Sequence, residues 1–510
     1  MKLTYLIAPG LMLASLAAAE PVHEMTVDTG ASNGHISRHI YGHFAEHLGR
    51  GIYDGFWKKD DNGDYIVRDD VVAAMKELGV PNLRWPGGCF ADYYFWQHGI
   101  GPKEDRPTVV NNLWGGVTED NSVGTHEFLA LCEELEADPI VVGNVGSGTV
   151  EDMANWWQYI NHPGESPMAK LRRENGREEP WNVSFWGVGN ESWGCGGHMR
   201  PEYYADLYRR FSTFLHGYGD VKPFRIATGP SGNDYHWTEV VMELAGDRID
   251  GLDLHNYTLD GTWAKKGEAI DFDESGWFRM MKRAMDMDEL ITNHSAIMDE
   301  YDPEKRVWLI VGEWGTWHEQ EEGSTPGFLY QQNSLRDALI ASTILDIFHQ
   351  HLDRVKMANI AQTINVLQAM ILTDGERMLK TPTYHVFDLY KPHREATALA
   401  FELDRGEYER DGESIPAISA TVSRNDADRI HVSLTNIDPN EARTVELSFS
   451  ELDGMSVKSA RILTAEEMNA HNTFDAPDAL VPVVFDGAKV SNGKLVVSLP
   501  AKSLVTIAID

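Results

Sequence analysis

At 510 residues the chain exceeds what one ordinary hydrophobic core supports, so two or three domains, or one large barrel with a companion, are expected. A hydrophobic content of 42% with 24% charged residues excludes a disordered chain. The 44 Lys and Arg against 79 Asp and Glu leave a net charge of -35, which repels phosphate backbones and anionic lipid. Nucleic acid and membrane are therefore poor partners, and a neutral substrate fits best.

The N-terminus carries Lys2, an apolar run from Leu3 to Leu16 and then Ala17, Ala18 and Ala19. That order predicts a signal peptide over residues 1–19 and an exported, periplasmic or extracellular protein. Residues 20–35 hold a weakly alternating strand expected to join a C-terminal sheet. From residue 36 a repeat of strand and helix begins. Val71, Ala74, Met75 and Leu78 form a helical stripe that Gly79 ends. A strand reaches Arg84 and Trp85, and a Gly- and aromatic-rich loop follows from Pro86 to Gly124. Thr125 opens a helix whose face holds Phe128, Leu131, Cys132 and Leu135, so Cys132 is a buried, inert thiol. Thr149 and Asp152 make a capping-box start for the helix after Val145.

The next run, Val183 to Gly189, is apolar and ends in Asn190 and Glu191. The alternation then continues through Phe224–Thr228, Gly251–Tyr257, Arg306–Trp314 and Val355–Thr363. The strands number eight, centred near residues 40, 83, 141, 187, 226, 254, 310 and 359. Buried strands alternating with helices predict an α/β chain built as a (β/α)8 TIM barrel over residues 36–385. An open doubly wound sheet is the alternative, but the chain has no Gly-rich nucleotide fingerprint. Residues 386–510 turn to short alternating strands, with Asn492-Gly493 marking a hairpin. They predict an all-β sandwich, jelly-roll-like.

Barrel enzymes place reactive groups at the C-terminal ends of strands. Here those ends read Glu46, Arg84, Asn144, Asn190 with Glu191, Thr228, His255 with Tyr257, Glu313 with Trp314, and Gln362. Two carboxylates from strands four and seven can stand about 5 to 5.5 Å apart, as a retaining glycosidase needs. Glu191 is assigned acid/base, and Glu313 is assigned nucleophile because Tyr257 and Arg84 hold it ionised. Glu46, Asn190, His255 and Gln362 are expected around the substrate. Trp114, Trp193, Trp263, Trp314 and Trp317 are candidates for stacking on sugar faces. His43-Phe44-Ala45-Glu46-His47 matches an inverted zincin pattern, but it follows a strand and lacks room for the helix that zinc binding requires. No metal or cofactor is expected, and Glu46 is a hydrogen-bond acceptor instead. Cys89 and Cys195 both lie in Gly-rich loops, and spacing alone leaves open whether they pair.

Four stretches, Arg84–Asp92, Gly189–Gly197, Ala358–Thr373 and Thr381–Phe387, resemble the family 51 glycoside hydrolases, the α-L-arabinofuranosidases. The resemblance covers nearly the whole chain after residue 19. It implies exo-acting, retaining release of arabinofuranosyl units from arabinan, arabinoxylan or derived oligosaccharides. It also implies Glu191 as acid/base, Glu313 as nucleophile, and Glu46, Arg84, Asn190, Tyr257 and Gln362 on the arabinose. A homo-oligomer, often a hexamer, is the implied assembly. Two departures stand out. Cys89 replaces the Asn some members carry beside the substrate, and Gly312 replaces an Asp before the nucleophile, removing a nearby negative charge. An endo-β-1,4-glucanase or β-xylosidase on the same scaffold, or a non-catalytic carbohydrate-binding protein, are the competing functions.

Overall fold

Eight short strands close into a parallel barrel in strict chain order. The computed structural model describes residues 22–450, 454 and 456–510; the expected signal peptide, residues 1–19, lies outside them. A first strand, β1 (Val22–His35), precedes the barrel. The barrel strands are β2 (Gly42–Phe44), β3 (Asn82–Trp85), β4 (Asp138–Gly143) and β5 (Phe185–Val188). They continue as β6 (Phe224–Ser231), β7 (Gly251–Thr258), β8 (Trp308–Thr316) and β9 (Val355–Ile360). Ile140, Ile226, Ile310 and Met357 meet inside the barrel, each buried. Their packing makes the interior a core with a mouth at one end only.

The helices follow from the stripes in the sequence. The first, Asp69–Leu78, stops at Gly79, whose φ of 68° is left-handed and suits a residue without a Cβ. The Thr149 hydroxyl accepts from the Asp152 amide at the start of Val150–Asn161, closing the capping box. Thr125 is the first helical residue of Thr125–Leu135 and Gly124 is its cap. Residues 258 to 305 contain one helix of 28 residues, Glu274–Tyr301, capped by Asp273. Its inward face is rich in Met, including Met280, Met287 and Met298, and intervening charges blur the periodicity. The expected boundary at residue 385 falls inside a further helix, Pro382–Tyr390. Its Tyr384 hydroxyl bonds the Ala74 carbonyl at 2.8 Å, so the barrel's helical ring extends past 385.

Among the described residues the C-terminal region holds a ten-stranded sheet and a separate two-stranded hairpin, Glu407–Arg410 with Glu413–Pro416. β1 lies within the sheet, antiparallel to Thr397–Leu403 and parallel to Arg443–Phe449. Asn492 and Gly493 both have positive φ, 51° and 79°, in the hairpin joining Ala488–Ser491 to Lys494–Leu499. The sheet is tied to the barrel by buried polar contacts. Asp346, on the helix Leu335–Phe348, accepts from Ser419 at 2.7 Å and Thr421 at 2.6 Å. Trp277 donates to the Ile437 carbonyl at 2.8 Å.

Candidate active site

The C-terminal ends of the barrel strands bring most of the predicted residues to one cavity of about 700 Å³, a volume typical of small-ligand sites. Glu46, Cys89, Glu191, His255, Glu313 and Gln362 line it. Arg84 lies beneath, its guanidinium 4.4 Å from the centre of the Phe44 ring. One Arg84 nitrogen donates to Glu313 Oε1 at 2.7 Å and the other to Asn190 Oδ1 at 2.5 Å. The Tyr257 hydroxyl donates to Glu313 Oε2 at 2.7 Å. Both Glu313 oxygens are thus held by donors, which fixes the orientation of the carboxylate.

Glu191 follows β5 in a turn with φ of 39°, and its Oε1 is 3.0 Å from His255 Nδ1. Burial pushes its pKa above the usual carboxylate range, outweighing the hydrogen bond from His255. One oxygen each of Glu191 and Glu313 and one His255 ring nitrogen all lie within 4.8 Å of one another. That spacing suits a carboxylate pair separated as in retaining glycosidases and is too close for the inverting range of about 6.5 to 9.5 Å.

Glu46 is buried, accepting from the Phe90 amide at 3.0 Å, Trp114 Nε1 at 2.9 Å and Gln362 Nε2 at 3.0 Å. Burial, then the nearby Glu313, raise its pKa to about 7. A carboxyl whose folded pKa lies above its unfolded value contributes stability at low pH and loses it as pH rises through the folded value. Glu46→Gln removes that loss, a stabilisation of at most about 3 kcal/mol above pH 7. The melting temperature of the variant relative to the parent should therefore rise from pH 5 to pH 8, while its activity falls. An offset equal at both pH values would contradict this.

The disulfide between Cys89 and Cys195 spans a Cα separation of 5.5 Å. Its sulfurs stand 3.8 and 3.4 Å from Glu191 Oε2 and, being bonded to each other, have no proton to donate. Gly88 has a second, steric role in the same loop. A Cβ there would lie 2.7 Å from Glu313 Oε1. Gly88→Ala should displace the Glu313 carboxylate and lower kcat by about 100-fold with an unchanged circular dichroism spectrum. Full activity in that variant would mean the loop yields.

Several expectations are corrected. Asn144 does not line the cavity, since its side chain ties the loop at Tyr94 and Ser147. Thr228 is buried behind Ser192, their hydroxyls 3.4 Å apart. Trp314 is fully buried against Phe348 and Phe387, whereas Trp114, Trp193, Trp263 and Trp317 do line the cavity. At the zincin-like motif, where no metal was expected, His43 sits on the Phe387 ring and His47 bonds Glu119 at 3.2 Å. Gly312 does not leave the site short of negative charge, because the Asp253 carboxylate occupies the adjoining space.

Asp92 went unassigned in the sequence, although it ends a recognisable motif. It is buried and accepts from the Val145, Gly146 and Asn190 amides at 2.6, 2.8 and 2.7 Å. By gripping the backbone of Asn190 it aims the residue beside Glu191. Among the described residues Asn190 Nδ2 and Gln362 Oε1 are buried without a protein partner, which suits groups that bind a sugar hydroxyl.

Comparison with known proteins agrees with this geometry. Residues 74–274 match the model of the α-L-arabinofuranosidase 1 domain, and residues 312–503 match that of the α-L-arabinofuranosidase C-terminal domain. The chain is 48% identical to the intracellular exo-α-L-arabinofuranosidase of Bacteroides ovatus over 100% of both chains. It is 32% identical to the intracellular exo-α-(1→5)-L-arabinofuranosidase of Acetivibrio thermocellus, over 68% of this chain and 71% of that one. The crystal structure of the GH51 arabinofuranosidase from Xanthomonas axonopodis pv. citri superposes with a TM-score of 0.94 at 47% identity, covering 96% of this chain and 100% of that one. Both curated relatives are named intracellular, which overturns the expectation of an exported protein. Sequence identity, domain models and fold together establish that the chain belongs to the family 51 α-L-arabinofuranosidases.

Proposed function

We propose that the chain is a retaining, exo-acting α-L-arabinofuranosidase that releases terminal arabinofuranosyl units by double displacement. The observation that carries this is the Glu191–Glu313 pair, with oxygens within 4.8 Å at the mouth of the barrel. Glu313 attacks the anomeric carbon while Glu191 protonates the departing oxygen; Glu191 then takes a proton from the water that releases arabinose. Glu46, Arg84, Asn190, Tyr257 and Gln362 hold the furanose, and Trp114 closes over it. Both carboxylates are present and positioned, which disfavours a purely binding role.

The names of the relatives support a place of action inside the cell and hence short arabino-oligosaccharides from arabinan or arabinoxylan as substrates. The family resemblance supports a homo-oligomer, a hexamer, which light scattering on a sizing column tests. Purified protein should hydrolyse p-nitrophenyl α-L-arabinofuranoside at mildly acidic to neutral pH, with the α-anomer of arabinose as first product by NMR. An untouched substrate, with cleavage of cello- or xylo-oligosaccharides instead, would move the function to the glucanase or xylosidase alternative.

A further inference from the structure

The space beside the nucleophile is filled from an unexpected direction. Gly312 precedes Glu313 on β8 and carries no side chain. A Cβ built on Gly312 would lie 2.0 Å from Asp253 Oδ1 and 2.6 Å from both Asp253 Cγ and Oδ2. The Asp253 carboxyl, reaching across from β7, therefore occupies the volume that a side chain at position 312 would need. The pairing of the two strands shifts register here: Asp253 faces Ile310 and His255 faces Glu313, so Val311 and Gly312 oppose Leu254 alone. This bulge brings Gly312 against Asp253 and re-aims Glu313 into the cavity.

Asp253 Oδ2 is 3.2 Å from His255 Nε2, and the other ring nitrogen of His255 is 3.0 Å from Glu191 Oε1 and 3.6 Å from Glu313 Oε1. Asp253 and His255 are alternate residues of β7, so both side chains point into the barrel. Asp253 Oδ1 is buried and has no hydrogen-bond partner among the described residues. A small void inside the barrel adjoins Arg84, Asp253 and Gly312 together, so the carboxylate also faces the guanidinium that holds the nucleophile. A buried, unpaired carboxylate oxygen is costly for a structural filler. Among the described residues the carboxylate's one hydrogen-bonded partner is the histidine between the catalytic pair.

Resting on the assignment of Glu191 and Glu313 as that pair, we propose that Asp253 and Gly312 act as one unit. The carboxylate that a side chain at position 312 would place beside the nucleophile is delivered from β7, and from there Asp253 positions His255 between Glu191 and Glu313. Asp253 is a positioning residue; it touches neither substrate nor the reacting atoms. The absent side chain at 312 is the condition that lets it fit.

Asp253→Asn, Asp253→Ser, Gly312→Asp and the double exchange Asp253→Ser with Gly312→Asp test this on p-nitrophenyl α-L-arabinofuranoside. Asp253→Asn keeps the shape and removes the charge. It should lower kcat by about 30-fold, in the range of a lost charge-assisted hydrogen bond, with KM within about twofold. Gly312→Asp crowds two carboxylates into one volume and should lose about 100-fold or more. The double exchange returns one carboxylate to that volume from the other strand and should recover to within about tenfold of the parent. A double exchange whose loss is the product of the single losses, or an Asp253→Asn variant within twofold of the parent, overturns the proposal. Melting curves identify variants that fail to fold, and if Gly312→Asp is among them Asp253→Asn decides alone. A parent that leaves the arabinofuranoside intact refutes the functional assignment instead, so the two failures are distinguishable.

Discussion

Replacing Glu313 by alanine is expected to lower kcat/KM by about 10⁴-fold or more. Two donors and a nearby imidazole define why. Arg84 and Tyr257 hold one oxygen each at 2.7 Å, and His255 stands 3.6 Å from Oε1. Those contacts spread the carboxylate's charge over fixed donors and keep it aimed at one point, where attack on the anomeric carbon takes place. Alanine removes the nucleophile and leaves a cavity lined by Arg84 and Tyr257, the right size and sign for a small anion. Added azide should restore turnover and give an arabinofuranosyl azide of inverted configuration, readable by NMR. Activity within tenfold of the parent, without azide, would remove Glu313 from the nucleophile's role.

Replacing Glu191 by alanine should produce a loss that depends on the leaving group. With an unactivated alkyl or sugar leaving group, kcat/KM should fall by about 10²- to 10⁴-fold, the usual worth of a positioned general acid. A dinitrophenyl leaving group departs without a proton, so its first step survives while hydrolysis of the intermediate slows. The variant should therefore show a burst and a lowered KM with that substrate. The pH profile gives the sign. Burial raises the Glu191 pKa, and the group works as acid only while protonated, so parental activity falls as pH rises through that value. The alkaline limb of kcat/KM should disappear in the variant. An unchanged alkaline limb, or equal losses for both leaving groups, would assign the proton to another residue.

The barrel was legible because its strands are apolar runs broken at regular intervals by helices with clean stripes, such as Val71–Leu78. Glu191, Glu313, Arg84, Tyr257 and Gln362 were legible because each sits at or just past a strand's C-terminal end. The same rule put Asn144 and Thr228 in the mouth, where they do not belong. Asn144 follows the end of β4 and turns towards a loop, whereas Thr228 lies inside β6, which runs on to Ser231, and turns towards Ser192. Trp314 failed for a different reason. It adjoins the nucleophile, and neighbours along a strand point to opposite faces, so Glu313 in the cavity places Trp314 among the helices.

Composition and periodicity by themselves determined the fold class, the strand order and the two carboxylates near strand ends, since each is a property of local pattern. Only the tertiary structure decided which side chains share a volume. The disulfide beside Glu191 joins residues 106 positions apart, Asp92 grips a backbone 98 positions away, and Gly312 matters for the carboxylate of Asp253 on the next strand. A glycine in a sequence states only that a side chain is missing. What fills the space is set by the register of neighbouring strands, and a bulge of one residue is enough to change it.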